Sequence, residues 1–278
     1  TQMKRRLLYL LITFAFAKAG IAQELPATYI FTDSIDIETS PVINQGNTGT
    51  CWSFSTASFL ESEVMRISGK RVDLSEMYSV RQTYPAKAEN YIMRQGKAQF
   101  DQGGLAHDVI ATVSKYGLVP QSAYTGLSAL ELTHNHAELV AVLKAMLDVY
   151  VSKPARKLSP KWRTAVEGVL DVYLGETIAS FAWHGKQYTP KEFASFLQID
   201  PSAYISLTSF THEPYYRPFI LNIPDNFSNG SFYNLPLDEF VENIDHALQQ
   251  GYTIVLDCDV SELSFSAKQG VAVLPASD

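Results

Sequence analysis

The 278-residue chain is 46% hydrophobic and 18% charged, an ordinary globular composition that excludes disorder and supplies side chains for one large or two modest cores. Its net charge of -7 makes any basic patch a local exception, so nucleic acid and anionic membrane surfaces are excluded as expected partners and a peptide or small molecule fits better. Only two cysteines are present, too few for a disulfide-stapled scaffold.

In chain order, residues 3–22 carry a basic cluster (Lys4, Arg5, Arg6), an apolar run from Leu7 to Ala17, and small residues at Gly20 and Ala22. That is the layout of a secretory signal peptide over residues 1–22, cut after Ala22. It predicts an exported protein, periplasmic or extracellular, without a stable membrane anchor. No later stretch approaches the roughly 20 apolar residues of a membrane span. Thr1 and Gln2 precede the expected start at Met3, which suggests a reading frame taken from a fragment.

Residues 23–40 read as a polar, extended lead-in. Leu60, Val64 and Ile67 then recur at helical spacing, so a helix is expected from about Trp52 to Ile67, ending near Gly69, with Cys51 at its start. Ser75 and Glu76 open a second helical stretch, expected to be interrupted at Pro85. A third runs from Leu105 to Tyr116 and is stopped by Gly117. Residues 127–175 read as strongly helical, with stripes Leu139/Leu143/Met146/Tyr150 and Trp162/Val166/Val169/Tyr173, broken over 153–160. Thr189 and Pro190 open a short helix. Asp238 to Gln250 is another, with Phe240, Ile244 and Leu248 facing inward. Tyr252 to Val260 alternates and reads as a buried strand.

Chemistry concentrates in residues 41–54, PVINQGNTGTCWSF. A thiol attacks carbonyls as thiolate, a form favoured by a helix N-terminus and a neighbouring imidazolium. Cys51 begins a helix. The tetrahedral oxyanion needs donors fixed in advance, and the Cys51 N–H and the Gln45 side-chain amide can converge if the loop doubles back, which Gly46 and Gly49 permit. This use of Cys51 requires that it not be bridged to Cys258, which in an alternating strand reads as a small buried residue. His134 and His136, two apart, would point to different faces of a helix, which argues against a metal site there.

Gln45, Gly46, Gly49, Cys51 and Trp52 resemble the Gln-Gly-x-x-Gly-x-Cys-Trp signature of papain-like cysteine peptidases. Thr48 stands where secreted papains carry a disulfide cysteine, which looks like the bleomycin hydrolase/aminopeptidase C branch. Leu74, Ser75 and Glu76 are similar to the family's Leu-Ser-Glu turn. Gly103 and Gly104 resemble the Gly-Gly that pairs with substrate backbone on one wall of the cleft, though in isolation they also fit a plain turn. Further landmarks of the branch are KQYTPKEFASF, YISLTSFTHEPYYRPF, YNLPLDEFVENIDHALQQGY and VLDCDVSE, so the likeness covers roughly residues 40–265.

The resemblance implies an α+β papain-like fold: a helical subdomain with the nucleophile over 41–126, a family-specific helical insertion and connection over 127–235, and the start of a strand-containing subdomain over 236–278. It implies a cysteine-type peptidase, an aminopeptidase, acting through an acyl-enzyme. Cys51 and Gln45 are its catalytic residues, and Gly103, Gly104 and Trp52 line the substrate. It implies no cofactor and no metal, peptides as partners, and a homo-oligomer, a hexamer.

Spacing alone nominates His184 as the base. The family places that histidine after the strand that VLDCDVSE resembles, so it is expected beyond Glu262, and no histidine follows His246. No Asn-Ser-Trp segment, which carries the family's orienting Asn, occurs in the chain. His212 also sits in a landmark that the family carries away from the cleft. The catalytic His and Asn are therefore expected beyond the end of this chain, which by itself is expected to be nearly inert. The alternative is a non-catalytic peptide-binding or assembly protein of the same fold.

Overall fold

A computed structural model describes residues 32, 35–128, 131–153, 156–258, 260–261 and 265–273. The expected signal peptide and its cut after Ala22 lie outside the described residues, as do residues 274–278. The chain divides into two units, Thr1–Asp36 and Ile37–Asp278. Every element below belongs to the second. Among the described residues no helix is long and apolar enough to cross a membrane.

Helix α1 (Cys51–Ser68) ends where Gly69 turns left-handed at φ 65° and returns its N–H to the Met65 carbonyl. Helix α2 (Glu76–Met93) starts at Ser75, whose hydroxyl accepts from the Tyr78 N–H. It runs through Pro85 without interruption, contrary to the sequence expectation. Pro85 removes one backbone bond at a typical cost of about 3 kcal/mol, but Arg81, Tyr84 and Ala88 around it are buried, and that packing holds the helix together. Helix α3 (Ala106–Tyr116) stops at Gly117, φ 89°, where a side chain would collide with the Pro190 backbone.

These three helices pack on one another, and α4 (Ala137–Ser152) and α5 (Lys161–Leu174) pack against α2 and each other. The buried stripes are Leu139/Leu143/Leu147 and Trp162/Val166/Leu170/Leu174. Each shares its first two members with the predicted stripe and departs after them. Among the described residues, 127–136 are not helical, so the expected helical block starts late. Arg81 is enclosed between α2 and α5 and its guanidinium bridges Glu167 (2.7 Å) and Asp171 (2.6 Å).

Downstream, strands β1 (Phe181–Trp183) and β2 (Lys186–Tyr188) form a hairpin whose two turn residues, His184 (φ 47°) and Gly185 (φ 77°), both take positive φ. Helix α6 (Pro190–Phe196) carries the predicted cap: Thr189 Oγ1 accepts from the Glu192 N–H, and the Glu192 carboxylate accepts from the Thr189 N–H at 2.8 Å. Strands β3 (Leu207–Thr208), β4 (Arg217–Ile220) and β5 (Ser231–Asn234) form a sheet in the order β3-β5-β4. Helix α7 (Leu237–Gln249) and a small hairpin, β6 (Phe265–Ser266) with β7 (Val271–Ala272), follow. The mixture of helices and short strands is α+β.

Two late expectations are corrected. Phe240, Ile244 and Leu248 of α7 are half-covered rather than inside, and no residue of that helix is buried. The segment 252–258 is not a strand, and Tyr252, Ile254 and Leu256 are 42%, 38% and 58% exposed. Alternation makes a segment competent to pair, but a ladder needs a neighbour, and none of the described strands lies alongside it. Cys258 is likewise exposed, not buried.

Glu76 is buried at the start of α2, and its carboxyl is pushed up to about 7, chiefly by loss of water. A bond to its own backbone opposes the rise, and Glu61 and Asp73 add to it. A carboxyl that binds its proton more tightly when folded contributes most below its unfolded value near 4.5 and loses that contribution as pH climbs toward 7. Glu76→Gln is expected to flatten the stability profile over that window and to be the more stable form above it by about 2 kcal/mol, read from urea midpoints.

Candidate active site

Cys51 is the first residue of α1 and is exposed. As first residue it has no intrahelical acceptor for its N–H, so that donor faces outward beside its own thiol. Both cysteines are free, as a nucleophilic role for Cys51 requires. The loop before it does double back. Gln45 Nε2 donates to the Thr48 carbonyl at 2.6 Å, Thr48 Oγ1 donates to the Gln45 carbonyl at 3.3 Å, and the Thr48 and Thr50 hydroxyls meet at 2.6 Å. One hydrogen of the Gln45 amide is thereby used internally, and the second is left for an incoming oxygen.

Gly46 has φ 71°, and a Cβ there would sit 2.7 Å from the His134 carbonyl. That close approach exists because Asn47 bridges to the 134–136 segment: its N–H donates to the His134 carbonyl at 2.8 Å. Gly49 shows no positive φ, so the expected reason for it is only half right. Its N–H instead donates to Gln102 Oε1 at 2.7 Å, and a Cβ there would crowd the Gln102 side chain at 3.1 Å.

Gln102 is a residue the sequence reading missed. Its side chain holds Gly49 and its carbonyl accepts from Trp52 Nε1 at 3.0 Å, so it ties the stretch 102–104 to both sides of Cys51. Trp52 is 3% exposed and its ring lies against Gly104, where a Cβ would come within 2.9 Å of ring carbon. Gln102 thus joins Gly49 and Trp52, which flank Cys51 in sequence, to the stretch that holds Gly103 and Gly104. Gly104→Val is expected to displace the Trp52 ring and slow alkylation of Cys51 by a peptidyl reagent about tenfold or more, with a smaller effect on iodoacetamide.

Leu74, Ser75 and Glu76 buttress α1 from behind: Ser53 Oγ donates to the Glu76 carbonyl at 2.8 Å, and the Leu74 N–H donates to Glu61 Oε1 at 2.7 Å. Lys87, 6% exposed, donates to the Gly103 carbonyl. Burial pushes its ammonium down to about 8 against the opposing pull of Asp108, Asp225 and Asp101.

Among the described residues the Cys51 thiol has no hydrogen-bond partner, histidine or other. His184 turns the β1–β2 hairpin against Trp183, and His212 packs on Phe210 and Phe219. His107 bonds Ser228 Oγ at 3.1 Å. His134 and His136 are not helical and do not diverge: both are buried, with ring centroids 6.0 Å apart, and loss of water lowers both, His136 to about 4. Among the described residues no group of three or more ligating side chains could hold a metal ion.

The family model described as papain family cysteine protease matches residues 31–142, the stretch that holds α1 to α3 and the glycine wall. Curated relatives include aminopeptidase G of Lactobacillus delbrueckii subsp. lactis, 23% identical over 82% of this chain and 61% of its own length. Aminopeptidase C of Listeria monocytogenes is 24% identical over 83% of this chain and 61% of its own length. Cysteine proteinase 1, mitochondrial, of Saccharomyces cerevisiae is 24% identical over 67% and 47%. Among solved structures, PepW from Lactobacillus rhamnosis superposes with a TM-score of 0.66 at 19% identity, covering 80% of this chain and 59% of that one. The chain spans about three fifths of the length of the aminopeptidases it matches. The chain is thus similar to papain family cysteine proteases over residues 31–142 and to aminopeptidases G and C over most of its length, and it shares the fold of PepW.

Proposed function

We propose that the protein is an exported cysteine aminopeptidase in which Cys51 attacks the carbonyl after a peptide's first residue. The thiolate forms a C–S bond, and the oxyanion is held by the Cys51 N–H and the Gln45 amide. Collapse expels the amine with a proton, and water then hydrolyses the thioester. The observation that supports this reading is the Gln45–Cys51 loop: Gln45 Nε2 donates to the Thr48 carbonyl, the Gly49 N–H donates to Gln102 just before Gly103, and Cys51 is a free thiol at the first residue of α1.

The proton donor and its orienting Asn are assigned to sequence following residue 278. Two observations support this: no described histidine contacts the Cys51 thiol, and the aminopeptidases matched are longer than this chain. The test is to compare residues 23–278 with the protein translated to its natural stop, using an aminoacyl amide. Turnover confined to the longer form is expected, because general acid–base help is typically worth about 10² to 10⁴ in rate. Equal turnover by both would make one of this chain's own histidines the base. No turnover by either, with peptides still bound, would favour a peptide-binding role.

A further inference from the structure

We propose that the buried pair His134 and His136 is an acid-sensitive latch on the loop before Cys51: when the two imidazoles take up protons, the segment 131–136 releases Asn47, the Gln45 turn loses its alignment, and peptide hydrolysis stops reversibly. The latch regulates the site already described and rests on the peptidase reading of Cys51.

The latch itself is a pair of backbone bonds. The Asn47 N–H donates to the His134 carbonyl at 2.8 Å and the His136 N–H donates to the Asn47 carbonyl at 3.4 Å, a parallel bridge centred on Asn135. Asn47 lies between Gln45 and Thr48, the two residues whose mutual bonds fold the loop. Gly46 is pressed so close to the His134 carbonyl that a Cβ would sit 2.7 Å from it. Whatever moves residues 134–136 therefore moves the turn that carries the Gln45 amide.

Both rings stand where a positive charge is poorly accommodated. His134 is 8% and His136 3% exposed, with their centroids 6.0 Å apart. Among the described residues, His134 Nδ1 and both ring nitrogens of His136 are buried without a hydrogen-bond partner. Aromatic rings rather than acceptors cover them: Phe54 of α1 meets His134 edge-on at 6.4 Å, and Tyr84 of α2 meets His136 edge-on at 6.5 Å. His136 also caps the N-terminus of α4, whose unpaired N–H groups repel a cation.

The titratable neighbours do not offset this. Tyr84 and, across a small cavity, Tyr173 of α5 face the pair as neutral phenols, and the Tyr173 hydroxyl donates to Glu138 of α4 at 2.6 Å. Glu131 lines the same cavity and attracts both imidazoles, but its carboxylate already accepts from the Ser128 N–H at 2.9 Å, and burial of the rings outweighs it. His136 is held down to about 4, against an ordinary value of 6.5, by loss of water first and by His134 second. An imidazole whose proton affinity is lowered by burial favours the latched form above pH 6.5 and turns against it as pH falls from there toward 4. Across that window each unit of pH favours release about tenfold for every imidazole freed, so two of them make a steep switch.

The experiment follows hydrogen exchange of the protein translated to its natural stop by mass spectrometry between pH 7 and 4.5, corrected for the intrinsic pH dependence of exchange, alongside kcat/KM on an aminoacyl amide. In the parent, exchange over residues 44–50 is expected to rise on acidification by about tenfold or more relative to residues 189–197, and to fall back at pH 7. His136→Phe and His136→Leu, checked for folding by circular dichroism, remove a titrating ring that makes no hydrogen bond. Both are expected to cut that rise about tenfold and to carry activity to lower pH, the acid limb losing one proton from its slope. A parent whose 44–50 segment stays protected down to pH 4.5, or a rise of equal size in both variants, overturns the latch and leaves Cys51 as nucleophile. A protein that neither hydrolyses the amide nor is labelled at Cys51 by iodoacetamide, at any pH, would instead sink the peptidase reading on which the latch rests.

Discussion

Cys51→Ser is expected to abolish peptide hydrolysis by the full-length protein while leaving its melting temperature within a few degrees of the parent. Serine at the start of α1 preserves the helix and its N–H, and the side chain is exposed, so little packing changes. What is lost is the nucleophile, because a serine hydroxyl is far less acidic than a thiol and attacks far more slowly than a thiolate in a site arranged for cysteine. Gln45→Ala should act more mildly, lowering kcat by about 10² to 10³, the usual loss for one oxyanion donor. Because the Gln45 amide also holds the Thr48 carbonyl, the variant is also expected to loosen the loop and raise KM modestly. Initial rates on an aminoacyl amide, with circular dichroism as the folding control, separate the two effects.

Phe193→Ala is expected to be the most destabilising single truncation, by about 3–5 kcal/mol. Phe193 is wholly buried in α6 and meets the rings of Phe181, Trp183 and Tyr188 edge-on at centroid distances of 5.2, 5.3 and 5.6 Å. Removing it leaves a cavity walled by rigid rings that cannot collapse to fill it, and it frees α6 from the hairpin it covers. Chemical denaturation read by tryptophan fluorescence measures the loss. A cost below about 1 kcal/mol would mean that the hairpin and α6 are not one cooperative unit with the helical core.

The elements most legible in the sequence are those fixed by neighbours along the chain. Helix α6 was announced by Thr189 and Pro190, and α3 by its apolar spacing and Gly117; both stand where expected. Pro85 misled because a local penalty was set against burial that only the assembled helices supply. Residues 252–258 misled for the converse reason: the alternating pattern is real, but pairing is a property of two segments, not one. The same division runs through the site. Gln45, Cys51 and Trp52 are close in sequence and carry a family spacing, so they were readable at once. Gln102 reaches Gly49 across 53 residues and Lys87 reaches the Gly103 carbonyl across 16, and nothing in their own neighbourhoods announces them. His134 and His136 were placed on a helix that begins only after them, and their burial beside the Gly46 loop followed from a bridge to Asn47 that no local pattern predicts.

The central claim is that peptide bonds are cut by Cys51, and titrating activity against alkylation tests it most directly. The full-length protein is treated with increasing phenylalanyl chloromethyl ketone, modified peptides are quantified by mass spectrometry, and residual hydrolysis is plotted against the fraction of each cysteine modified. Both thiols are exposed, so both are open to reagent and the comparison is internal. Activity is predicted to fall linearly to zero as Cys51 modification approaches one per chain, whatever the state of Cys258. Undiminished hydrolysis with Cys51 fully alkylated would contradict the account.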